Sequence, residues 1–227
     1  MKQTRDIMGM PISVEVRDEG DWQQAAEKVF DYFHSVDERF STYRQDSEIS
    51  RFNRGEIGHD DLSDDMRRVF LLAEEEKAKT GGYFDIKKPD GAIDPSGLVK
   101  GWAIKNAAEI LRASGCKYFY VDAGGDIQAS APQGSAPWKV GIRSPFKSGE
   151  IIKSLDIINS GVATSGSYIR GQHIYDPHKP GNELRDVVSI TVVADDVYKA
   201  DIAATAAFAM GLRGIDFISG MPGYEAY

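Results

Sequence analysis

The sequence predicts an α+β fold: a largely antiparallel sheet with helices packed on it. Three observations carry that prediction. Strand patterns cluster and helical patterns come in separate blocks, without the βα alternation of a parallel sheet. No Pro-, Ser- or Gly-rich linker and no fixed-period repeat divides the 227 residues, so 1–227 reads as one domain. Apolar residues make up 41% of the chain, enough to fill a core of that size.

Residues 11–17 alternate Ile12, Val14 and Val16 with polar neighbours, the period of a half-buried strand. Asp21 is expected to cap the next helix, whose stripe is Trp22, Ala26, Val29, Phe30, Phe33 and Val36 or Phe40. Residues 41–53 are polar and predicted irregular, with a short turn at 47–50. Ser63 starts another helix, carried by Met66, Val69, Phe70 and Ala73 and ended by Gly81-Gly82. The acids Asp60, Asp61, Asp64 and Asp65 belong to its approach, where the helix dipole favours them, rather than to a metal site. Ser96 or Gly97 precedes a third helix, with Ile104, Ala107, Ala108 and Leu111 on one side and Gly115 at its end. Residues 118–127 read as a strand running into Gly124-Gly125. Short strands are predicted around 138–142, 151–158, 173–175 and 186–194, with 131–137 as a hairpin loop. A last helix spans about 199–210 and stops at Gly211, and a final strand is expected at 215–218.

The net charge of −8 argues against a nucleic-acid surface, which needs a basic patch or stripe. One cysteine, Cys116, cannot form an internal disulfide and reads as a packed thiol. No Cys/His cluster points to structural zinc. The N-terminal residues lack the apolar region and cleavage site of a signal peptide. No run approaches the ~18 apolar residues of a membrane span. These features predict a cytoplasmic chain with no membrane span.

Three places carry chemistry. Ile93-Asp-Pro-Ser-Gly-Leu-Val-Lys-Gly101 joins an acid, glycines, a lysine and a helix start, which together can hold phosphate. Asp94 could accept hydrogen bonds from a ribose or a flavin ring and Lys100 could neutralise phosphate. A capped helix with a solvated lysine would look the same. Asp122-Ala-Gly-Gly-Asp126 is a tight strand-end turn that also permits close approach of a ligand. Asp201 and Thr205, four apart, stack on one helical face and offer two hard oxygens suited to Mg²⁺. A helix N-cap Asp with an incidental Thr would give the same pair. His173, close to acids, is a candidate general base or a histidine bonded to a neighbour. His34, His59 and His178 receive no role.

In their order along the chain these segments resemble the ApbE family of FAD:protein FMN transferases. The matches begin with Ile7-Met-Gly-Met-Pro11, the stretch from Phe40 to Asn53, and Thr80-Gly-Gly-Tyr-Phe-Asp85. They continue with the 93–101 and 122–126 segments, Ala163-Thr-Ser-Gly166 and His173-Ile-Tyr-Asp-Pro177. Ser189-Ile-Thr-Val-Val193 and Ala200-Asp-Ile-Ala-Ala-Thr205 complete the set. The resemblance implies an ApbE-like (T-fold-like) domain. It implies an enzyme that splits FAD with Mg²⁺, moves FMN onto a Ser/Thr of a target flavoprotein and releases AMP. Asp201 and Thr205 then look like metal ligands, with Gly97 lending a carbonyl and Ala204 adjacent. Met8, Tyr43, Tyr83, Phe84, Asp85, Asp94 and Lys100 look like FAD contacts, with Ile190 as a backbone contact. Tyr43, Tyr83 and Phe84 could stack on the flavin or adenine rings. His173 matches the histidine of the family's His-x-x-Asp-Pro motif.

Three departures stand out. The segment from Asp85 to Asp94 is shorter than in the family, Met10 replaces a common threonine, and the signal and lipid-anchor cysteine of many exported relatives are absent. The same site with water as acceptor would be an FAD pyrophosphatase. A non-catalytic flavin-binding protein is the reading from another class.

Overall fold

The computed structural model describes residues 1–166, 174–179, 184 and 186–227. Its first unit is a hairpin of β1 (Lys2–Ile7) and β2 (Met10–Val16), joined by Met8-Gly9. Both loop residues have positive φ, 57° and 69°, the backbone of a two-residue turn whose twist matches the strands. Helix α1 (Gln23–Phe40) follows, then α2 (Glu48–Asn53), α3 (Asp64–Lys79) and α4 (Ser96–Ala113). Strands β3 (Phe119–Ala123), β4 (Asp126–Ser130), β5 (Trp138–Arg143), β6 (Ile151–Ile157), β7 (Gly161–Gly166) and β8 (Ser189–Ala194) come next. Helices α5 (Val197–Met210) and α6 (Arg213–Ser219) and the short β9 (Glu225–Ala226) end the chain.

Seven strands form one sheet in the order β1-β2-β3-β4-β7-β8-β9, and β5 and β6 form a separate pair. Every described ladder is antiparallel, as the separate strand and helix blocks predict. Strand alternation divides the core. Ile12, Val14, Val16, Phe119, Val121 and Ala123 join the apolar sides of α1, α3 and α4. On the opposite face, Tyr118, Tyr120 and Ile127 pack with Trp138, Val140 and Leu155 of the β5–β6 pair. Helix α5 is apolar nearly all round, and its alanines bury it against α4, β7 and α6.

Several expectations need correction. Gln23 opens α1 with Trp22 at the cap, and Asp21 Oδ1 accepts from the Gln23 amide at 3.0 Å instead of capping. The polar 41–53 stretch is not wholly irregular: Ser47 caps α2 through its side chain. The 118–127 stretch is two strands, because Gly124 and Gly125 take φ of 62° and 99° and reverse the chain between them. Loop 131–137 joins two sheets rather than a hairpin, since β5 pairs with β6 and not with β4. Ile174 and Tyr175 lie outside any strand, and His173 lies outside the described residues. Helix α5 starts earlier than expected, at Val197, with Asp196 accepting from the Lys199 amide at 2.9 Å. The strand expected at 215–218 is α6: its buried residues are Gly214 and Ile218, four apart on one helical face, while Ile215 is exposed. Four apolar-rich residues are too few to separate a period of 2 from one of 3.6.

Candidate active site

A cavity of about 630 Å³ opens between the sheet edge, α4, α5 and the β5–β6 pair. Its volume falls within the roughly 300–1,000 Å³ usual for cofactor and ligand sites. The sequence-predicted residues Met8, Tyr43, Tyr83, Phe84, Asp85, Asp94, Gly97, Lys100, Asp201 and Thr205 all line it. They come from five separate segments of the chain.

The Met8-Gly9 turn carries Met8 to the wall, in a positive-φ backbone that a side-chain-bearing residue rarely adopts. Tyr43 stands at the mouth and is 97% exposed, so it covers nothing among the described residues. Phe84 is buried, its amide donating to the Thr80 hydroxyl at 3.0 Å. Asp85 accepts from Lys77 Nζ at 2.7 Å and from the Lys87 amide at 2.9 Å.

The short join from Asp85 to Asp94 is a tight reversal. The Lys88 amide donates to Ala92 O at 2.8 Å, and the Asp94 amide donates to Ile86 O at 2.8 Å. The Asn53 side chain clamps Ile93 from outside, donating to its carbonyl and accepting from its amide, both at 2.8 Å. The reversal returns Asp94 to the cavity. There its Oδ1 accepts from the Ser96 amide at 3.1 Å, which steadies the start of α4. Gly97, the second residue of α4, faces Phe84 and Thr205: a Cβ there would lie 3.6 Å from the Phe84 ring and 3.9 Å from Thr205 Cγ2.

The floor is ionic. Asp201 is 2% exposed, on the fifth residue of α5, so it is not a helix cap; that place belongs to Asp196. Its Oδ2 accepts from the Gly101 amide at 2.9 Å, and its Oδ1 lies 3.7 Å from Lys100 Nζ. Lys100 is therefore not a solvated lysine. Its ammonium also lies 2.5 Å from Asp126 Oδ2. Burial pushes the Asp201 carboxyl up, Lys100 pulls it back, and the nearby Asp126 charge pushes it up further. Asp122, beside the Gly124-Gly125 turn, is also raised by burial, against the hydrogen bond it accepts from the Gly125 amide at 2.8 Å. Thr205 Oγ1 lies 3.3 Å from Ser165 Oγ of β7, so two hydroxyls and a carboxylate meet at one end of the cavity.

Two predicted residues do not line the cavity. Ala204 is fully buried in the core, and Ile190 is buried beside Ser165 in the β7–β8 ladder. Ile174, Tyr175 and Pro177 reach the rim, next in sequence to His173. His178, given no role above, steadies that segment: its Nε2 lies 2.9 Å from Gly81 O, and its ring meets Tyr83 edge-on at 4.5 Å.

Gly101 and Asp126 lie inside motifs the sequence singles out but receive no role of their own there, and the β5–β6 wall, where Lys139, Ile142 and Arg143 line the cavity, goes unforeseen. A glycine inside a helix, normally unfavourable by about 1 kcal/mol against Ala, was a signal for Gly101. No local pattern marks the β5–β6 residues, because alternation says which side is covered but not by what.

An antiparallel α+β fold with a cavity of small-molecule size, a buried acid–lysine–acid cluster and two hydroxyls at its floor defines the class of protein: an α+β domain built around a polar-floored pocket. Residues 8–88 and 86–227 match the ApbE family model, and the chain belongs to the ApbE family. The two matched stretches meet at 86–88, where the shortened reversal begins. The chain is 32% identical over 155 residues to the FAD:protein FMN transferase of Rhodobacter capsulatus, covering 65% of this chain and 29% of that protein. It is 24% identical over 273 residues to the Haemophilus influenzae protein of that name, covering 90% and 79%. For the Escherichia coli K12 protein of that name the match covers 40% of its length, so the chain spans well under half of the Rhodobacter and E. coli proteins. Among solved structures, flavin transferase ApbE from Vibrio cholerae superposes with a TM-score of 0.83 at 22% identity, covering 100% and 96% of the two chains. The ApbE protein from Thermotoga maritima gives 0.83 at 21%, covering 100% and 93%. These two likenesses establish the fold. Among the described residues no helix is long and apolar enough to cross a membrane.

Proposed function

We propose that the protein, acting as one domain over 1–227, is a Mg²⁺-dependent FAD:protein FMN transferase. In this reading it cleaves FAD, attaches FMN through a phosphoester to a Ser or Thr of a target flavoprotein and releases AMP. The observation that supports it most is the Asp201 carboxylate, buried on a largely apolar helix at the floor of the cavity. An ionisable group so placed costs stability unless it binds something, and such costs concentrate at functional sites.

The donors suit Mg²⁺. Asp201 Oδ1, Thr205 Oγ1 and the Gly97 carbonyl are hard oxygens, and a Mg²⁺ site needs few protein donors because waters complete it. No group of three or more His, Cys, Asp or Glu converges among the described residues, so one carboxylate would carry the site. When bound, Mg²⁺ would neutralise charge on the diphosphate and on the departing AMP.

The chain's own residues supply the rest. Lys100 presents an ammonium to the diphosphate, and Tyr83, Phe84 and Met8 form the apolar wall for a ring. The acceptor hydroxyl oxygen forms a bond to the FMN phosphorus, and the bond from that phosphorus to the AMP oxygen breaks. The hydroxyl proton goes to His173. Positioning and charge neutralisation carry most of such a transfer. Incubation with FAD, Mg²⁺ and a candidate acceptor, read by mass spectrometry, tests this. An FMN adduct on Ser or Thr with released AMP is expected. Free FMN and AMP without adduct would make water the acceptor, and FAD bound but never cleaved would make the chain a binding protein.

A further inference from the structure

We propose that Asp126 is a positioning residue: it holds the Lys100 ammonium off Asp201 and so keeps the Asp201 carboxylate open to a divalent cation. This rests on the reading of Asp201 as a metal ligand. Lys100 reaches from α4 into a space between two buried carboxylates. Its Nζ lies 2.5 Å from Asp126 Oδ2 but 3.7 Å from Asp201 Oδ1. Fixed backbone sets that inequality. Asp126 opens β4 directly after the Gly124-Gly125 turn and is 2% exposed. Its other oxygen accepts from the Thr164 amide of β7 at 2.9 Å. Asp201 is anchored in the same way by the Gly101 amide at 2.9 Å.

Neither carboxylate can follow the ammonium, so the elements that carry them decide how one cation is shared between two anions. As arranged, the ammonium sits at contact distance from Asp126 and stands back from the nearer oxygen of Asp201. Were it seated on Asp201, it would compete with a metal ion for that oxygen and repel the ion at contact distance.

Calorimetric titration of the full chain with Mg²⁺, without FAD or acceptor, tests this apart from activity. Asp126→Asn should weaken Mg²⁺ binding roughly tenfold, because the released ammonium settles on Asp201. Lys100→Met should tighten binding. The Asp126→Asn/Lys100→Met double variant should recover at least the wild-type affinity, since the competitor is gone. A purely structural role for Asp126 gives the same loss with or without Lys100, and that result overturns the proposal. Unchanged Mg²⁺ affinity in Asp126→Asn does so as well. Should Asp126→Asn fail to fold, Lys100→Met decides alone, and no tightening overturns the proposal. Wild-type protein that binds no Mg²⁺ overturns the metal-ligand reading and this inference together. Wild-type binding without the variant pattern overturns this inference only.

Discussion

The Gly101 amide donates to the Asp201 carboxylate at 2.9 Å, linking α4 and α5 across a hundred positions of sequence. The approach is close because residue 101 has no side chain. A Cβ there would lie 2.8 Å from Asp201 Cβ, 3.0 Å from its Oδ2 and 3.1 Å from the Tyr198 Cα. Two effects oppose each other in Gly101→Ala. Helix propensity favours Ala by about 1 kcal/mol. Overpacking against atoms that cannot swing away costs about 1–3 kcal/mol. The second should win, because one contact is backbone and another is a Cβ. Gly101→Ala should therefore melt at lower denaturant, and an unchanged or higher midpoint would show that the helices can part cheaply.

Asp201→Asn should lose Mg²⁺-dependent turnover on the order of a hundredfold or more, through loss of transition-state charge stabilisation. Unchanged turnover would refute the ligand role.

The same variant has a distinct pH signature without metal. The folded-state Asp201 carboxyl is raised from its ordinary 3.8 by burial, so above 3.8 the native state binds more protons than the unfolded chain. Wild-type stability should fall, relative to Asp201→Asn, as pH rises from about 3.8 toward the raised value. Parallel denaturation curves at a series of pH values check the sign. A gap that grows the other way would mean that Lys100 outweighs burial.

His173→Ala should slow transfer roughly 10²–10⁴-fold, the range of general base catalysis, while leaving FAD affinity nearly unchanged. Single-turnover kinetics beside FAD titration separate the two, and a change mainly in affinity would remove His173 as the base.

Cys116 is buried, and burial, with help from the Asp18 charge, pushes its thiol up to about 11. At pH 8 almost no thiolate is present. A disulfide reagent should leave the native protein unlabelled for as long as it stays folded and label it fully in denaturant. Rapid native labelling would mean that the end of α4 opens readily.

Much of this was legible in the sequence. The alternation at Ile12, Val14 and Val16 set that strand's buried face, because a period of 2 has one solution. Gly124-Gly125 announced a turn but not that it splits one apolar run into two paired strands, which depends on partners far along the chain. The 215–218 stretch was misread because so short a segment takes its form from Ala207 and the rest of α5, against which Gly214 is pressed. Asp94, Lys100, Asp201 and Thr205 stand out in the sequence by their chemistry and their order, and the structure brings all four to one cavity.

The sequence by itself determined the fold class, the family and the acids, lysine and threonine that the structure gathers at the cavity floor, since periodicity and motif order are local properties. Tertiary structure alone decided how charge is distributed among them. Whether Lys100 serves Asp126, Asp201 or solvent depends on ångström differences between α4, α5 and β4. Electrostatic energy in a buried site varies steeply over such distances, and no pattern along the chain encodes it.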